Sequence, residues 1–131
     1  MTTKEKQIRF WTKLKESDQK LFDGTPGETQ YYNIVNKEIL PLKIRLDIYC
    51  CEEDYQSKGY LTICVMLPED KMEVMSRSFA KDDVRIDQKL SRFFWVSNHD
   101  KKCLIGDNEA DWKNAIEWFT KNVQNITNVL R

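Results

Sequence analysis

The spacing of apolar residues changes period along the chain, and the changes mark its elements. Near the C-terminus, Trp112, Ala115, Ile116, Phe119, Val123, Ile126 and Leu130 recur at intervals of three and four, the period of a helix with one apolar stripe. Asn108 stands at the N-cap position with Asp111 three residues on. Glu109 and Asp111 place negative charge at the positive end of the helix dipole. A stripe carrying Trp and Phe must be covered, so the helix over 106–131 is expected to close a hydrophobic core. A first helix is predicted over 3–22, capped by Thr2 or Thr3. Ile8, Trp11, Leu14, Leu21 and Phe22 mark its apolar side, with Phe10 on the flank.

Between these helices the period drops to two. After a loop at 23–30 rich in Gly and Pro, Tyr31–Val35 reads as a short strand, and Pro41 ends the connection that follows. In LKIRLDIYCC, Leu42, Ile44, Leu46, Ile48 and Cys50 fall on one side. Lys43, Arg45, Asp47 and Tyr49 fall on the other. This predicts a strand with one face in the core and one in water. Residues 52–58 turn the chain, and Tyr60–Leu67, apolar on both sides, is expected as a central strand antiparallel to the one before it. Pro68 stops that strand. From Glu69 onward, Met72, Met75, Ser76, Phe79, Asp83, Ile86 and Leu90 thread onto one helical face. A helix over 69–90 is therefore predicted, weakest at Asp82-Asp83; the competing reading is a short helix followed by a strand through Val84 and Ile86. FFWVSN (93–98) and KKCLIG (101–106), joined by a polar turn at His99-Asp100, read as a second hairpin. The order helix, three strands, helix, hairpin, helix predicts an α+β fold in one domain over 1–131. A mainly antiparallel sheet of about five strands would be packed by an N-terminal, a middle and a C-terminal helix.

Composition narrows the function classes. A chain of 131 residues carrying 21 Lys and Arg against 21 Asp and Glu has no net charge, which argues against a protein whose whole surface is basic for nucleic acid or membrane. A local basic patch survives that balance. There is no apolar run of membrane length and no signal peptide, so a cytoplasmic location is expected. The Asn125-Ile126-Thr127 glycosylation triplet falls inside the predicted closing helix and is discounted. The four cysteines (Cys50, Cys51, Cys64, Cys103) form no Cys-x-x-Cys pair, and His99 is the single histidine. A zinc site needs about four such ligands in close pairs. Buried reduced thiols are the simpler expectation, and no metal or cofactor motif is present.

Four groups of residues carry candidate chemistry. Arg77, Lys81, Arg85, Lys89 and Arg92 are spaced by four, four, four and three. On a helix over 69–90 they would project from one side and track a phosphate backbone. A solvated face, with Glu73 four residues before Arg77 and with Asp82, Asp83 and Asp87 diluting the field, explains the same spacing. Asp47 on a strand with Glu69-x-Lys71 after the next is similar to the acid plus Glu-x-Lys pattern of metal-dependent nucleases. However, Pro68 makes Glu69 and Lys71 natural first-turn helix residues. Cys50-Cys51 would form only a strained disulfide and has no neighbouring His to activate it, and His99 sits in a polar turn, so no catalytic residue is assigned. Finally, Tyr31, Tyr32, Tyr49, Tyr55, Tyr60, Trp95 and Trp118 exceed what one core face takes, leaving aromatics for protein contact, base stacking or a second covered face.

The chain resembles a bacterial family known only as domain of unknown function 4268. The likeness rests on Phe10-Trp11 with Leu14, on LKIRLDIYC, on FFWVSNHDKKCLI after a charged helix, and on Asp111-Trp112 with Trp118. That family's domain often follows a nuclease-like domain, which implies an accessory role near nucleic acid or in defence systems; no such partner domain is expected within these residues. The resulting expectation is a non-catalytic binding or accessory module whose partner is a protein or a nucleic acid, with no membrane role. An immunity or antitoxin-type protein that blocks a protein partner is the alternative, and a metal-dependent nuclease built on Asp47, Glu69 and Lys71 is a second.

Overall fold

In the computed structural model, which describes residues 1–38, 42–50, 59–87 and 92–131, eight main elements follow in order. They are α1 (Thr3–Ser17), β1 (Tyr31–Ile34), β2 (Ile44–Ile48), β3 (Leu61–Met66), α2 (Glu69–Ser78), β4 (Asp83–Ile86), β5 (Phe93–Asn98) and α3 (Lys113–Leu130). Two 3₁₀ turns, Lys101–Cys103 and Glu109–Trp112, lead from β5 into α3. The strands form one antiparallel sheet of order β1-β2-β3-β5-β4, with β3 at its centre. This is the predicted α+β class.

Alternation decides which face of the sheet is the core. Ile44, Leu46 and Ile48 pair with Val65, Ile63 and Leu61, and Val65 and Ile63 pair on with Phe94 and Val96. All eight are fully buried. Phe10, Trp11 and Leu14 of α1 and Ala115, Phe119, Val123 and Ile126 of α3 close over them. Trp11 stacks on Tyr32 of β1 with ring centres 5.3 Å apart, and Phe79, at the end of α2, tilts against Phe94 at 5.8 Å. The three helices thus share one face of the sheet, and each large side chain buried there contributes about 2–3 kcal/mol. Among the described residues no helix is long and apolar enough to cross a membrane.

At the first helix the start follows its sequence signal: Thr2 caps α1 by accepting from Glu5 N at 3.2 Å. Asn108 accepts from Ala110 N at 3.1 Å, but it caps the Glu109–Trp112 3₁₀ turn; the helix expected over 106–131 starts at Lys113, without a side-chain cap. Several expectations fail. The helix predicted over 3–22 ends at Ser17, because the Asp18 carboxylate takes the Leu21 N–H at 3.0 Å and turns the chain. The predicted helix over 69–90 stops at Ser78, and residues 83–86 form strand β4, as in the competing reading. The segment 101–106 is not a hairpin strand: Lys101–Cys103 form a 3₁₀ turn and 104–106 an irregular stretch, because β5 already has β3 on one side and β4 on the other, so no edge is left for it. The second face of β2 is only partly wet: Lys43 is exposed and Arg45 half-exposed, whereas Asp47 and Tyr49 are buried. Pro41 and the turn at 52–58 lie outside the described residues.

The β1 edge is closed. Tyr31, Asn33 and Val35 turn their backbone groups away from β2. The Thr29 hydroxyl meets both backbone groups of Tyr31, and Asp23 Oδ1 accepts the Val35 N–H at 2.9 Å. Gly24 lies so close that a Cβ there would sit 2.1 Å from the Asn33 carbonyl oxygen.

Candidate functional site

The face of the sheet opposite the helices is where sequence chemistry gathers. Strand register sets its side chains in transverse rows. One row runs Tyr31, Asp47, Thr62, Ser97, Asp83, crossing all five strands. The next runs Asn33, Arg45, Cys64, Trp95, Arg85. Between and above them lies a cavity of about 300 Å³ lined by strand side chains and by Tyr49, which follows β2. A smaller cavity of about 190 Å³, lined by Lys43, Arg45, Cys64, Met66 and Phe93, shares Arg45 with it. The two form a groove running over the strands.

Two guanidinium groups define the groove chemically. The Arg45 guanidinium lies 4.5 Å from the centre of the Tyr31 ring, and Arg45 donates to both oxygens of Asp47, from Nε at 3.0 Å and from Nη2 at 3.3 Å. Asp47 is 3% exposed, so this fork fixes Arg45 from a buried anchor. The Arg85 guanidinium lies 4.5 Å from the Trp95 ring centre. No carboxylate pairs with it among the described residues. Stacking occupies the face of a guanidinium and leaves its in-plane N–H donors for an anion. On the strand spacing, the Arg45 and Arg85 backbones stand three strands apart, about 14 Å.

The floor between them is polar but uncharged. The Thr62 and Ser97 hydroxyls lie 3.3 Å apart. Burial pushes the Cys64 thiol up to about 11, only partly countered by the Arg45 charge, so it stays protonated and is no nucleophile at neutral pH. Phe93 and Trp95 extend an aromatic surface with ring centres 5.8 Å apart. At one end His99 Nε2 meets Asp83 Oδ2 at 2.5 Å.

Of the predicted basic row, Arg77 is in the last turn of α2, Lys81 lies in the following turn, Arg85 is on β4 and Arg92 precedes β5; Lys89 lies outside the described residues. The single helical face that would align them does not exist, because the helix ends at Ser78. Arg85 alone of these five lines the larger cavity. The nuclease arrangement is not assembled either. Asp47 faces the groove and is tied to Arg45, whereas Glu69 and Lys71 open α2, which packs on the other face. Asp47 is also four residues along β2 from Lys43, the residue beside the end of β3, about 13 Å by strand rise. Among the described residues no three His, Cys, Asp or Glu side chains gather to hold a metal. The aromatic surplus divides: Tyr32, Tyr49 and Tyr60 are buried, Tyr31 is 44% exposed, and Trp95 and Trp118 are half-buried. Tyr55 and Cys51 lie outside the described residues. Arg45 was missed as a site residue, although its place on a strongly alternating strand opposite Ile44 and Leu46 was readable.

Comparison with protein-family models, curated proteins and solved structures gives no match to this chain.

Proposed function

We propose that this protein is a non-catalytic binding module that holds a single-stranded nucleic acid across the strand-lined face of its sheet. The observation that carries this reading is the pair of stacked guanidiniums, Arg45 on Tyr31 and Arg85 on Trp95, set along one groove. Cationic donors beside aromatic surfaces are what a single strand needs: phosphates meet the donors while bases stack on rings. Lys43 and Phe93 continue both kinds of contact into the smaller cavity. An accessory place in a DNA-processing or defence system agrees with this reading and with the family resemblance.

Fluorescence anisotropy with labelled single-stranded and duplex oligonucleotides, at low and near-physiological salt, tests it. Saturable binding that prefers the single strand and weakens with salt is expected. Arg85→Ala should weaken it and lower the slope of log affinity against log salt by about one. Trp95→Ala should weaken it by about tenfold while leaving that slope in place, since it removes stacking and not charge. No binding at low salt would overturn the reading. It would favour the second one, an immunity or antitoxin-type protein, for which the exposed Tyr31 and Val35, at 44% and 61%, offer an apolar contact point.

A further inference from the structure

The two edges of the sheet are treated differently. The β1 edge is closed by Thr29, Asp23 and Gly24, as described above. On β4, the Asp87 N–H donates to the Phe93 carbonyl, which fixes the phase of the ladder: Asp83 and Arg85 turn their backbone groups toward β5, and Val84 and Ile86 turn theirs outward. Among the described residues nothing pairs with those outward groups. An open edge is a template for another strand.

The side chains on this edge say which strand fits. Asp83 and Arg85 lie two residues apart on the groove face, with Val84 between them on the core face. An antiparallel pairing of β4 with itself, centred on Val84, puts Asp83 opposite Arg85 of the partner subunit and Arg85 opposite Asp83 of the partner subunit. On the other face it brings Val84 against Val84 of the partner subunit. Opposite charges and apolar β-branched residues are the favourable cross-strand pairs, and this register supplies both by symmetry. Centring the pairing on Arg85 would instead set like charges face to face.

We infer that β4 pairs with β4 of a second copy of this chain, joining two five-stranded sheets into one with a two-fold axis at Val84. This rests on the edge geometry and not on the nucleic-acid reading. The two grooves then meet at the axis. Arg85 gains a carboxylate neighbour, as Arg45 has in Asp47, and its remaining donors still face the groove.

Sedimentation equilibrium over a concentration series, without nucleic acid, tests the pairing. The wild-type chain is expected to form a reversible dimer. Asp83→Arg and Arg85→Asp, each alone, turn two attractive cross-strand pairs into repulsive ones and should weaken the dimer by about tenfold. The double variant D83R/R85D restores opposite charges across the axis and should recover dimerisation. Circular dichroism confirms that each variant is folded, and Val84→Pro, which removes an outward N–H on an edge strand, gives a charge-independent check. A monomer at every concentration would overturn the proposal. So would a dimer that both single variants leave unchanged, because another surface would then be responsible.

Discussion

At the residue scale, burial sets how the titratable groups behave. It pushes the Tyr32 hydroxyl, which donates to the Gly24 carbonyl, up to about 12 from 10.0, and it pushes the Cys64 and Cys103 thiols up to about 11 from 9.0. All three groups hold their protons more tightly when folded. The unfolded chain therefore releases them first as pH rises, and stability falls in that window. Their contribution should be intact below about pH 9 and should decline toward pH 11 for the thiols and pH 12 for Tyr32. Urea midpoints measured across pH 8–11 should fall, and the fall should be smaller in a Cys64→Ala, Cys103→Ala variant. A flat midpoint in the wild-type chain would contradict the burial argument. The sequence suggested buried reduced thiols because no pairing or metal-ligand spacing is present, and Cys64 and Cys103 are buried thiols. The fork from Arg45 to Asp47 was not legible: residues two apart on one strand face are neighbours, but their bonding depends on what covers that face.

At the element scale, long periodic segments were legible and short ones were not. The stripe from Trp112 to Leu130 supplies enough repeats to specify α3, and the alternation over 42–50 specifies β2. Residues 69–90 misled because Met75, Phe79 and Ile86 also fit a helical face, while β4 has only four residues in which to show period two. The turn at 79–82 carries neither Gly nor Pro, and only Asp82-Asp83 marks the break locally. KKCLIG carries a short apolar run, Cys103-Leu104-Ile105, that reads as a strand, but sheet membership depends on a free neighbour, which is a property of the whole fold. Gly59 shows local constraint of the opposite kind. Its φ of +81° and its approach to β5, where a Cβ would lie 2.6 Å from the Asn98 carbonyl oxygen, leave room only for glycine at the entrance to β3. Gly59→Ala should cost about 2 kcal/mol or more, read by chemical denaturation. Gly106→Ala, where a Cβ meets nothing within 4 Å, should stay within about 0.5 kcal/mol. Equal effects would contradict this account of the turn.

At the scale of the whole molecule, the helices collect on one face and leave the other to a groove whose two cations stand on aromatic rings. Neutral composition hid this, because the two cations lie on separate stretches of sequence, β2 and β4, that only strand order brings into one row. The four tryptophans are built-in reporters of which face binds. Trp11 and Trp112 are fully buried, with their indole N–H groups bonded to the Thr29 and Gly106 carbonyls at 2.8 Å. Trp118 lies on α3, and Trp95 alone lines the groove. A ¹H–¹⁵N correlation titration with a short single-stranded oligonucleotide, assigned by substitution of each tryptophan, is the most direct test. The Trp95 indole signal, with the Arg45 and Arg85 side-chain signals, should move with oligonucleotide concentration while Trp11, Trp112 and Trp118 hold still. Movement confined to Trp118, or no movement at any signal, would contradict a binding groove on the strand-lined face.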